Sequence, residues 1–384
     1  MTIRAYAAAR RTLTVADKLY EVNWGMVALI TLIACVGFAM LYSVAGASFS
    51  PWAGKQMAYF SVGLVLLVIA ALTDVRIWMS VAYPAYAISL VLLVLVLFAG
   101  HSALGAQRWL EFGPIGIQPS ELMKIALVLA LARYLHGLSV EDVSKPLKLI
   151  IPLVMIAMPA VLVLKQPNLG TTIILVADGC SLLFLAGLSW WWIVPAVSAV
   201  AGAVPVAWRF FLHDYQKARV MTFLDPESDA LGAGWNITQA KIAIGSGGLT
   251  GKGYLQGTQS RLNFLPEKHS DFIITNFGEE FGFVGSIALL LLFAIVIGYG
   301  VQIAMSARSQ FGRLVAMGLT LNFFFYILIN GAMVMGLIPV VGIPMPLVSY
   351  GGTAMLTVMF GFGILMSVHV HRQVEIPRHS GGII

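Results

Sequence analysis

The densest group of side chains able to do chemistry lies at 267–271, directly before a long apolar run. It contains Glu267, Lys268, His269 and Asp271, and a pair of glutamates follows two turns further along the chain. A solvated loop also uses such residues, but Asp271 sits where the chain enters the apolar run. A carboxylate at such a boundary is partly desolvated, which raises its basicity and suits it to act as a general base.

A second candidate site lies at the start of another apolar run, where Glu121 and Lys124 stand three residues apart and share one helix face. Charged residues beside apolar runs are costly in lipid and are usually functional. Two interpretations stay open: a structural ion pair, or a pair that lines a substrate cavity. Asp178 lies in the middle of a further apolar run, and we interpret it as a buried structural acid.

The absence of their characteristic motifs excludes several familiar kinds of catalytic site. The chain has no H-E-x-x-H zinc motif and no G-x-S-x-G hydrolase elbow. The segment GSGGLTGKG at 245–253 resembles a phosphate-binding loop, but Ser246 replaces the first glycine and Gly253 stands where Ser or Thr is required. We interpret it as a turn-rich loop, with phosphate contact through its backbone amides as the alternative. Cys35 and Cys180 fall inside apolar runs, which predicts small core residues and no disulfide framework.

The composition places the chain in a membrane. Of its 384 residues 59% are hydrophobic and 10% are charged, against about 25% charged in soluble domains. This excludes a soluble enzyme, and also a nucleic-acid binder, since no basic stripe remains outside the apolar runs. Ten runs are long enough to predict membrane helices, at 24–42, 57–72, 78–99, 122–136, 146–164, 170–188, 190–208, 283–305, 314–336 and 353–370.

The distribution of Lys and Arg between alternate loops predicts the orientation. One side carries twelve of these residues and the short loops of the other side carry three, so the first side and both termini are cytoplasmic. The sequence therefore predicts an all-α polytopic membrane protein of about ten transmembrane helices, with one large extracytoplasmic loop. We expect a single domain over 1–384, with a cytoplasmic N-terminal segment at 1–23, the loop with its short helices at 209–272, and a cytoplasmic tail at 371–384.

Long motifs in a fixed order identify a resemblance that covers nearly the whole chain. It resembles the SEDS family (shape, elongation, division and sporulation) and looks most like the RodA branch, which serves elongation; the segment GTQS at 257–260 favours that branch over the division branch. The matching stretches are GAQRWL at 105–110, QPSELMK at 118–124, FLDP at 223–226, KIAIGSGG at 241–248, GTQS at 257–260, LPEKHSDF at 265–272, GEEFG at 278–282 and PMPLVSYGG at 344–352.

The resemblance implies an inverting peptidoglycan glycosyltransferase that polymerises lipid II outside the cytoplasmic (inner) membrane for cell elongation and cell shape. Implied partners are a class B penicillin-binding protein that cross-links the strands, other membrane proteins of the elongation complex, and membrane lipid. The family's catalytic aspartate corresponds to Asp271, and its residues linked to activity or cavity lining correspond to Trp109, Glu121 and Lys124. The sequence departs from the family at Asn168, where Asp is common.

The implied reaction needs few groups. Asp271 takes the proton of an acceptor hydroxyl that attacks an anomeric carbon, and a lipid diphosphate leaves with inversion. No cofactor is required, although a divalent cation such as magnesium or manganese at the diphosphate stays open. The candidate cations for the diphosphate are Arg108, Lys124, Arg219, Lys241, Arg261 and Lys268, and the further expected substrate contacts are Trp109, Gln118, Ser120, Glu121, Glu267 and His269.

Two other functions stay open at this point. A flippase for the lipid-linked precursor needs only an internal polar cavity, which the charged residues of the apolar runs can supply. A non-catalytic scaffold that positions cell-wall enzymes needs only the helices.

Overall fold

Among the residues that the structure describes, ten long helices correspond to the ten apolar runs. The computed structural model describes residues 14–103, 106–112, 115–210, 214–225, 233–262 and 267–377. The eighth long helix differs most from the predicted run, since it begins at Ile273 rather than at 283. The first elements are α1 Val15–Glu21, α2 Trp24–Val44, α3 Ala53–Leu72, α4 Val75–Ala99, β1 His101–Ala103, β2 Ala106–Phe112, β3 Ile115–Ile117, α5 Pro119–His136, α6 Val140–Val143 and α7 Pro146–Lys165. They are followed by α8 Leu169–Leu185, α9 Trp190–Phe210, α10 Asp214–Leu224, α11 Ala233–Ser246, α12 Thr258–Arg261, α13 Ile273–Ser306, α14 Gln310–Val334 and α15 Gly352–Val370.

The chain is an all-α polytopic membrane protein. Within the described residues, seven helices are long and apolar enough to cross a membrane by length and composition: α2, α3, α4, α7, α13, α14 and α15. Helix α8 is apolar but has 17 residues, and α5 carries Glu121, Lys124 and Arg133 within its 18 residues. That all ten long helices cross the membrane stays a prediction.

The segment between α4 and α5 contains a small antiparallel sheet that the sequence did not predict. Its three strands follow each other in the order β1-β2-β3, with Leu110 opposite Ile117 and His101 opposite Trp109. Strands of three to seven residues are too short to show a clear alternation of polar and apolar residues. The loop at 209–272, in contrast, contains the predicted short helices α10, α11 and α12.

The prediction that Cys35 and Cys180 are core residues is wrong. Both lie exposed on the surfaces of α2 and α8. A helix in a membrane bundle is apolar on its lipid-facing side as well as on its packed side. Position within an apolar run therefore does not tell the two sides apart.

Helix α13 is broken at Gly282, where the backbone leaves the helical region (φ 65°, ψ −161°). Such a break leaves carbonyl groups before it and N–H groups after it without their helical partners. The glycine-rich segment 248–253 supplies the missing partners. The carbonyls of Glu279 and Glu280 accept from the N–H groups of Lys252 and Gly253 at 3.0 Å each, and the N–H groups of Phe283 and Val284 donate to the carbonyls of Gly248 and Leu249 at 2.9 and 3.0 Å.

This pairing explains the segment that resembles a phosphate-binding loop. Residues 247–250 form turns, as the sequence predicts. The amides of Lys252 and Gly253 bind helix carbonyls, so they are not directed at a phosphate. A β-carbon at Gly251 would lie 2.1 Å from the Glu280 carbonyl oxygen, which shows how closely the segment packs on the broken helix.

We predict that Gly282→Ala lowers the thermal stability of the protein in detergent. The β-carbon would lie 2.3 Å from the backbone nitrogen of Gly251. The backbone there (φ 65°, ψ −161°) is in a region that only glycine adopts readily, and it costs another residue about 1–3 kcal/mol before the clash is counted. Gly298 lies on the same helix, and a β-carbon placed on it would have nothing within 4 Å, so Gly298→Ala should be neutral or stabilising by up to about 1 kcal/mol. Equal melting temperatures for the two variants would contradict this account of the break.

Candidate functional site

Asp271 lies on the turn 267–272, one residue before the N-cap of α13. That N-cap is Phe272, which makes no side-chain capping hydrogen bond. Asp271 is half-buried, and its Oδ2 lies 3.4 Å from the point that a β-carbon on Gly342 would occupy. The carboxylate therefore sits where the long loop meets the eighth long helix, as the sequence predicts, and it faces the segment 335–351 between α14 and α15.

The other ionisable residues of the cluster lie on the same turn. Ser270 Oγ donates to Glu267 Oε2 at 2.9 Å, and the same carboxylate lies 3.9 Å from His269 Nε2. The His269 ring stacks on Trp52 with centroids 4.5 Å apart and planes 10° apart. Burial lowers the pKa of His269, Glu267 acts in the opposite direction, and burial also lowers the pKa of Lys268. The turn thus holds a half-buried carboxylate beside partly desolvated bases.

Two glutamates that follow this cluster in sequence have a different task. Glu279 and Glu280 are buried at 0% and 1% exposure. Glu279 Oε1 accepts from Lys252 Nζ at 2.7 Å and from the Thr258 N–H at 2.9 Å, and Glu280 Oε1 accepts from Ser43 Oγ at 2.5 Å. They tie the loop 252–258 to α13 and are not on the turn of Asp271.

The Glu121–Lys124 pair is a buried ion pair inside the bundle. Helix α5 has 15 of its 18 residues buried. Lys124 Nζ donates to Glu121 Oε1 at 2.7 Å, and the Tyr326 hydroxyl donates to Glu121 Oε2 at 2.5 Å. Lys124 Nζ also contacts the Tyr326 hydroxyl. The two side chains form an ion pair, and a role of this pair in lining a substrate cavity stays a prediction. Tyr326 is a third member that lies 202 residues from Lys124 along the chain.

Asp178 is hydrogen-bonded to a residue of α14, the helix that also carries Tyr326. It is fully buried, and Asn322 Nδ2 donates to its Oδ2 at 2.5 Å. Further along α14, Asn330 Nδ2 donates to the backbone carbonyl of Asp271 at 2.9 Å. Residues 322, 326 and 330 are four apart and share one helix face; we call them the α14 polar row. Polar residues at every fourth position of an apolar helix are a signal in the sequence, and our sequence analysis missed it.

Two cavities adjoin the polar row, and Tyr326 and Val358 line both of them. One is small, contains Asn322 in its wall and is otherwise mainly apolar. The other is also small and is lined by the segment 344–351 and by Gln56. Gln56 is 1% exposed and holds that segment by bonds to the Ser349 carbonyl (2.8 Å) and the Gly351 N–H (3.2 Å); sequence analysis missed this role too.

The side chain of Arg108 makes a structural contact with the backbone and does not stand open as a binding site for an anion. Its Nε donates to the carbonyl of Gln166 at 3.2 Å, and its Nη2 donates to that of Pro167. These bonds hold the turn between α7 and α8, where Asn168 caps α8. Trp109 packs across the sheet, with its ring 3.4 Å from the β-carbon position of Gly116.

The remaining candidates lie in separate places. Gln118 is the half-buried N-cap of α5, and the buried Ser120 Oγ has no hydrogen-bond partner among the described residues. Lys241 is exposed on α11, with its Nζ 2.8 Å from the β-carbon position of Gly336. The side chains of Arg219 and Arg261 lie outside what the structure describes. Within the described ranges, no three His, Cys, Asp or Glu side chains form a cluster that could hold a metal ion.

Comparison with known proteins gives consistent matches over nearly the whole chain. The family model for cell cycle proteins of the FtsW/RodA/SpoVE type matches residues 23–374. The peptidoglycan glycosyltransferase MrdB of Escherichia coli K12 is 50% identical over 322 residues, which is 83% of this chain and 86% of the relative. MrdB of Helicobacter pylori is 40% identical over 336 residues, with 83% and 84% covered. The probable peptidoglycan glycosyltransferase FtsW of Trichlorobacter lovleyi is 34% identical over 366 residues, with 91% and 94% covered.

Solved structures show the same architecture. A chain of a peptidoglycan synthase complex that coordinates polymerization and crosslinking superposes with a TM-score of 0.80 at 30% identity, covering 91% of this chain and 98% of that one. The rod shape determining protein RodA of Thermus thermophilus superposes with a TM-score of 0.69 at 27% identity, covering 91% and 97%. The arrangement of helices described above is therefore similar to that of known proteins.

We predict strong energetic coupling between Glu121 and Lys124. Glu121→Gln or Lys124→Met alone leaves one buried charge without its partner, which costs about 3–5 kcal/mol, whereas the double variant removes both charges and should cost less than the sum. A double-mutant cycle by thermal unfolding in detergent measures the coupling.

The pair Asp142 and Lys145 is the matched control for this cycle. It has the same spacing and a 2.6 Å contact, but its side chains are 34% and 63% exposed, so the coupling should be small. Additive losses at Glu121 and Lys124 would show that the two charges do not interact.

Proposed function

The chain belongs to the FtsW/RodA/SpoVE family of cell cycle proteins, and from this membership we propose that it polymerises lipid II into glycan strands, with Asp271 as the general base. It is a peptidoglycan glycosyltransferase of the elongation type, in line with the MrdB relatives and the RodA structure that it resembles. The observation that carries the role of Asp271 is its position. It is a half-buried carboxylate on a turn at one end of the bundle, one residue before a long helix.

The proposed step is a single displacement. The acceptor hydroxyl gives its proton to the Asp271 carboxylate and attacks the anomeric carbon, while the bond to the lipid diphosphate breaks and its electron pair leaves with the diphosphate. Partial burial suits Asp271 to this task, because a desolvated carboxylate is a better base than one in water. Diphosphate is a good leaving group once its charge is neutralised, so a strong general acid is not needed.

The contacts of the basic residues narrow the choice of cations for the diphosphate. Arg108 is engaged with two backbone carbonyls and Lys124 with Glu121. Lys268 lies on the turn of Asp271, and Lys241 is exposed near the end of α14. We assign the diphosphate contact first to Lys268 and Lys241, because both lie in the segment 209–272 that also carries Asp271. Assistance by magnesium or manganese at the diphosphate stays a prediction.

The proposed setting is the cytoplasmic membrane, with both termini inside and the loop 209–272 outside. The excess of Lys and Arg on one side supports this orientation. The resemblance to a chain of a peptidoglycan synthase complex supports a partner that cross-links the new strands, for which we propose a class B penicillin-binding protein.

A lipid-precursor flippase is the second candidate function. The buried Glu121–Lys124 pair and the buried Asp178 favour it, since an internal polar path is what transport requires. Purified protein in detergent, supplied with lipid II alone, distinguishes the two. Glycan ladders support the polymerase, and their absence together with lipid transport in vesicles supports the flippase.

We predict that Asp271→Asn lowers polymerisation by about 10²–10⁴-fold, the usual contribution of a positioned base. The amide keeps the size of the side chain but cannot accept the proton. Asp271→Glu should give an intermediate rate, because the longer side chain misplaces the same group. Asp142→Asn is the control. It removes a partly exposed carboxylate that is far from Asp271 in the sequence, so it should leave the rate unchanged. Near-normal ladders from a folded Asp271→Asn protein would remove Asp271 from the mechanism.

We predict that single cysteines on the two sides of the membrane differ in their labelling by a membrane-impermeant maleimide on intact cells. Cys35 and Cys180 are exposed on their helices and are first replaced by alanine. A cysteine at Leu262, which is 62% exposed in the long loop, should then be labelled, and one at Arg308, whose side chain is 58% exposed, should not. Strong labelling at position 308 from outside would reverse the proposed topology.

A further inference from the structure

The turn that carries Asp271 is held through its backbone. Residues 267–272 form turns and not a regular helix or strand, so their carbonyl groups need partners from elsewhere. Four successive carbonyls each accept a hydrogen bond from a different residue. Lys268 accepts from Asn276 Nδ2 at 3.0 Å, His269 from the Tyr350 N–H at 2.9 Å, Ser270 from Ser349 Oγ at 2.5 Å, and Asp271 from Asn330 Nδ2 at 2.9 Å.

Asn330 differs from the other donors because its Nδ2 makes two such bonds. It also donates to the carbonyl of Ile343 at 2.6 Å, and Asn330 is fully buried. Both partners are carbonyl oxygens, so hydrogen bonding requires that the Nδ2 side of the amide faces them. One amide thus joins the backbone of Asp271 to the segment that contains Gly342, which the Asp271 carboxylate faces.

We propose that Asn330 is a positioning residue that sets the place of the Asp271 carboxylate relative to the 335–351 segment. The inference rests on the proposed function, in which Asp271 is the base. A general base must lie within about 2.6–3.2 Å of the proton that it takes, and a displacement of about 1 Å can lower a rate by about 10²-fold. Asn330 is buried and its donor is bound to two carbonyls, so it acts through Asp271 and not on the substrate.

The first experiment measures polymerisation by the full-length protein in detergent with Asn330→Leu. Leucine has a similar volume but no donor, so we expect kcat to fall by about 10²-fold while KM for lipid II stays within about threefold. Thr320→Val is the matched control. Thr320 is buried on the same helix, and its hydroxyl bonds to the Ala316 carbonyl of that helix at 2.7 Å, so kcat should not change.

The second experiment separates positioning from a general structural role. In an Asp271→Asn background, single-turnover rates over long incubations should be the same with Asn330 and with Leu at that position, because the group that Asn330 positions has lost its function. A residue that only supports the fold would lower the residual rate further. Such an additional loss would overturn the proposal, and so would a kcat near the wild-type value in a folded Asn330→Leu protein.

A second variant covers the case in which Asn330→Leu does not fold. Asn330→Gln keeps a neutral amide but moves it by one methylene, so we expect a folded protein with a lowered kcat and an unchanged KM. An unchanged kcat would overturn the proposal. The outcome also separates the two proposals: an active Asp271→Asn protein contradicts the proposed base, whereas an inactive Asp271→Asn protein beside fully active Asn330 variants contradicts only the role of Asn330.

Discussion

A charged or hydrogen-bonding group inside an apolar bundle needs a partner to offset the large cost of leaving water. In this protein the α14 polar row supplies such a partner to three separate parts of the chain. It contacts Asp178 on α8, the Glu121–Lys124 pair on α5, and the backbone of Asp271 before α13. Since successive members are four residues apart, they stand about 6 Å from each other along one helix. A single helix therefore relates the positions of carboxylates that are far apart in sequence.

The same requirement explains the broken helix α13. The main-chain groups freed at Gly282 are paired by the segment 248–253. Two buried glutamates bind the loop that follows this segment, Glu279 through the Thr258 N–H and Glu280 through the Leu255 N–H. A non-helical backbone at the edge of a membrane bundle is tolerated when protein supplies the missing partners. The loop 247–257 is thus part of the scaffold, and two of its glycines, Gly247 and Gly251, allow its backbone to pack closely on α13.

Local spacing made part of this structure predictable. Apolar runs longer than about 18 residues indicate helices, and the ion pair of Glu121 and Lys124 follows from two residues on one helix face. What sequence analysis missed depends on contacts between distant segments. Tyr326 completes the pair from 202 residues away, Arg108 binds carbonyls of another turn, and Cys35 faces outward on a helix that is apolar on all sides. The spacing of the α14 polar row can be recognised in the sequence, but the partners of its residues cannot.

The pairing also bears on where an anionic substrate can be bound. Inside the described bundle, the charge of Lys124 is balanced by Glu121, and Asp178 adds either no charge or a negative one, depending on its protonation. The interior is thus neutral or negative, and it offers no net attraction to a lipid diphosphate, which must leave water to enter it. The basic residues Lys241 and Lys268 lie with Asp271 in the long loop. Charge balance therefore supports the proposal that the diphosphate binds at the end of the bundle, next to the proposed base, and it supports chemistry at this surface over transport through the interior.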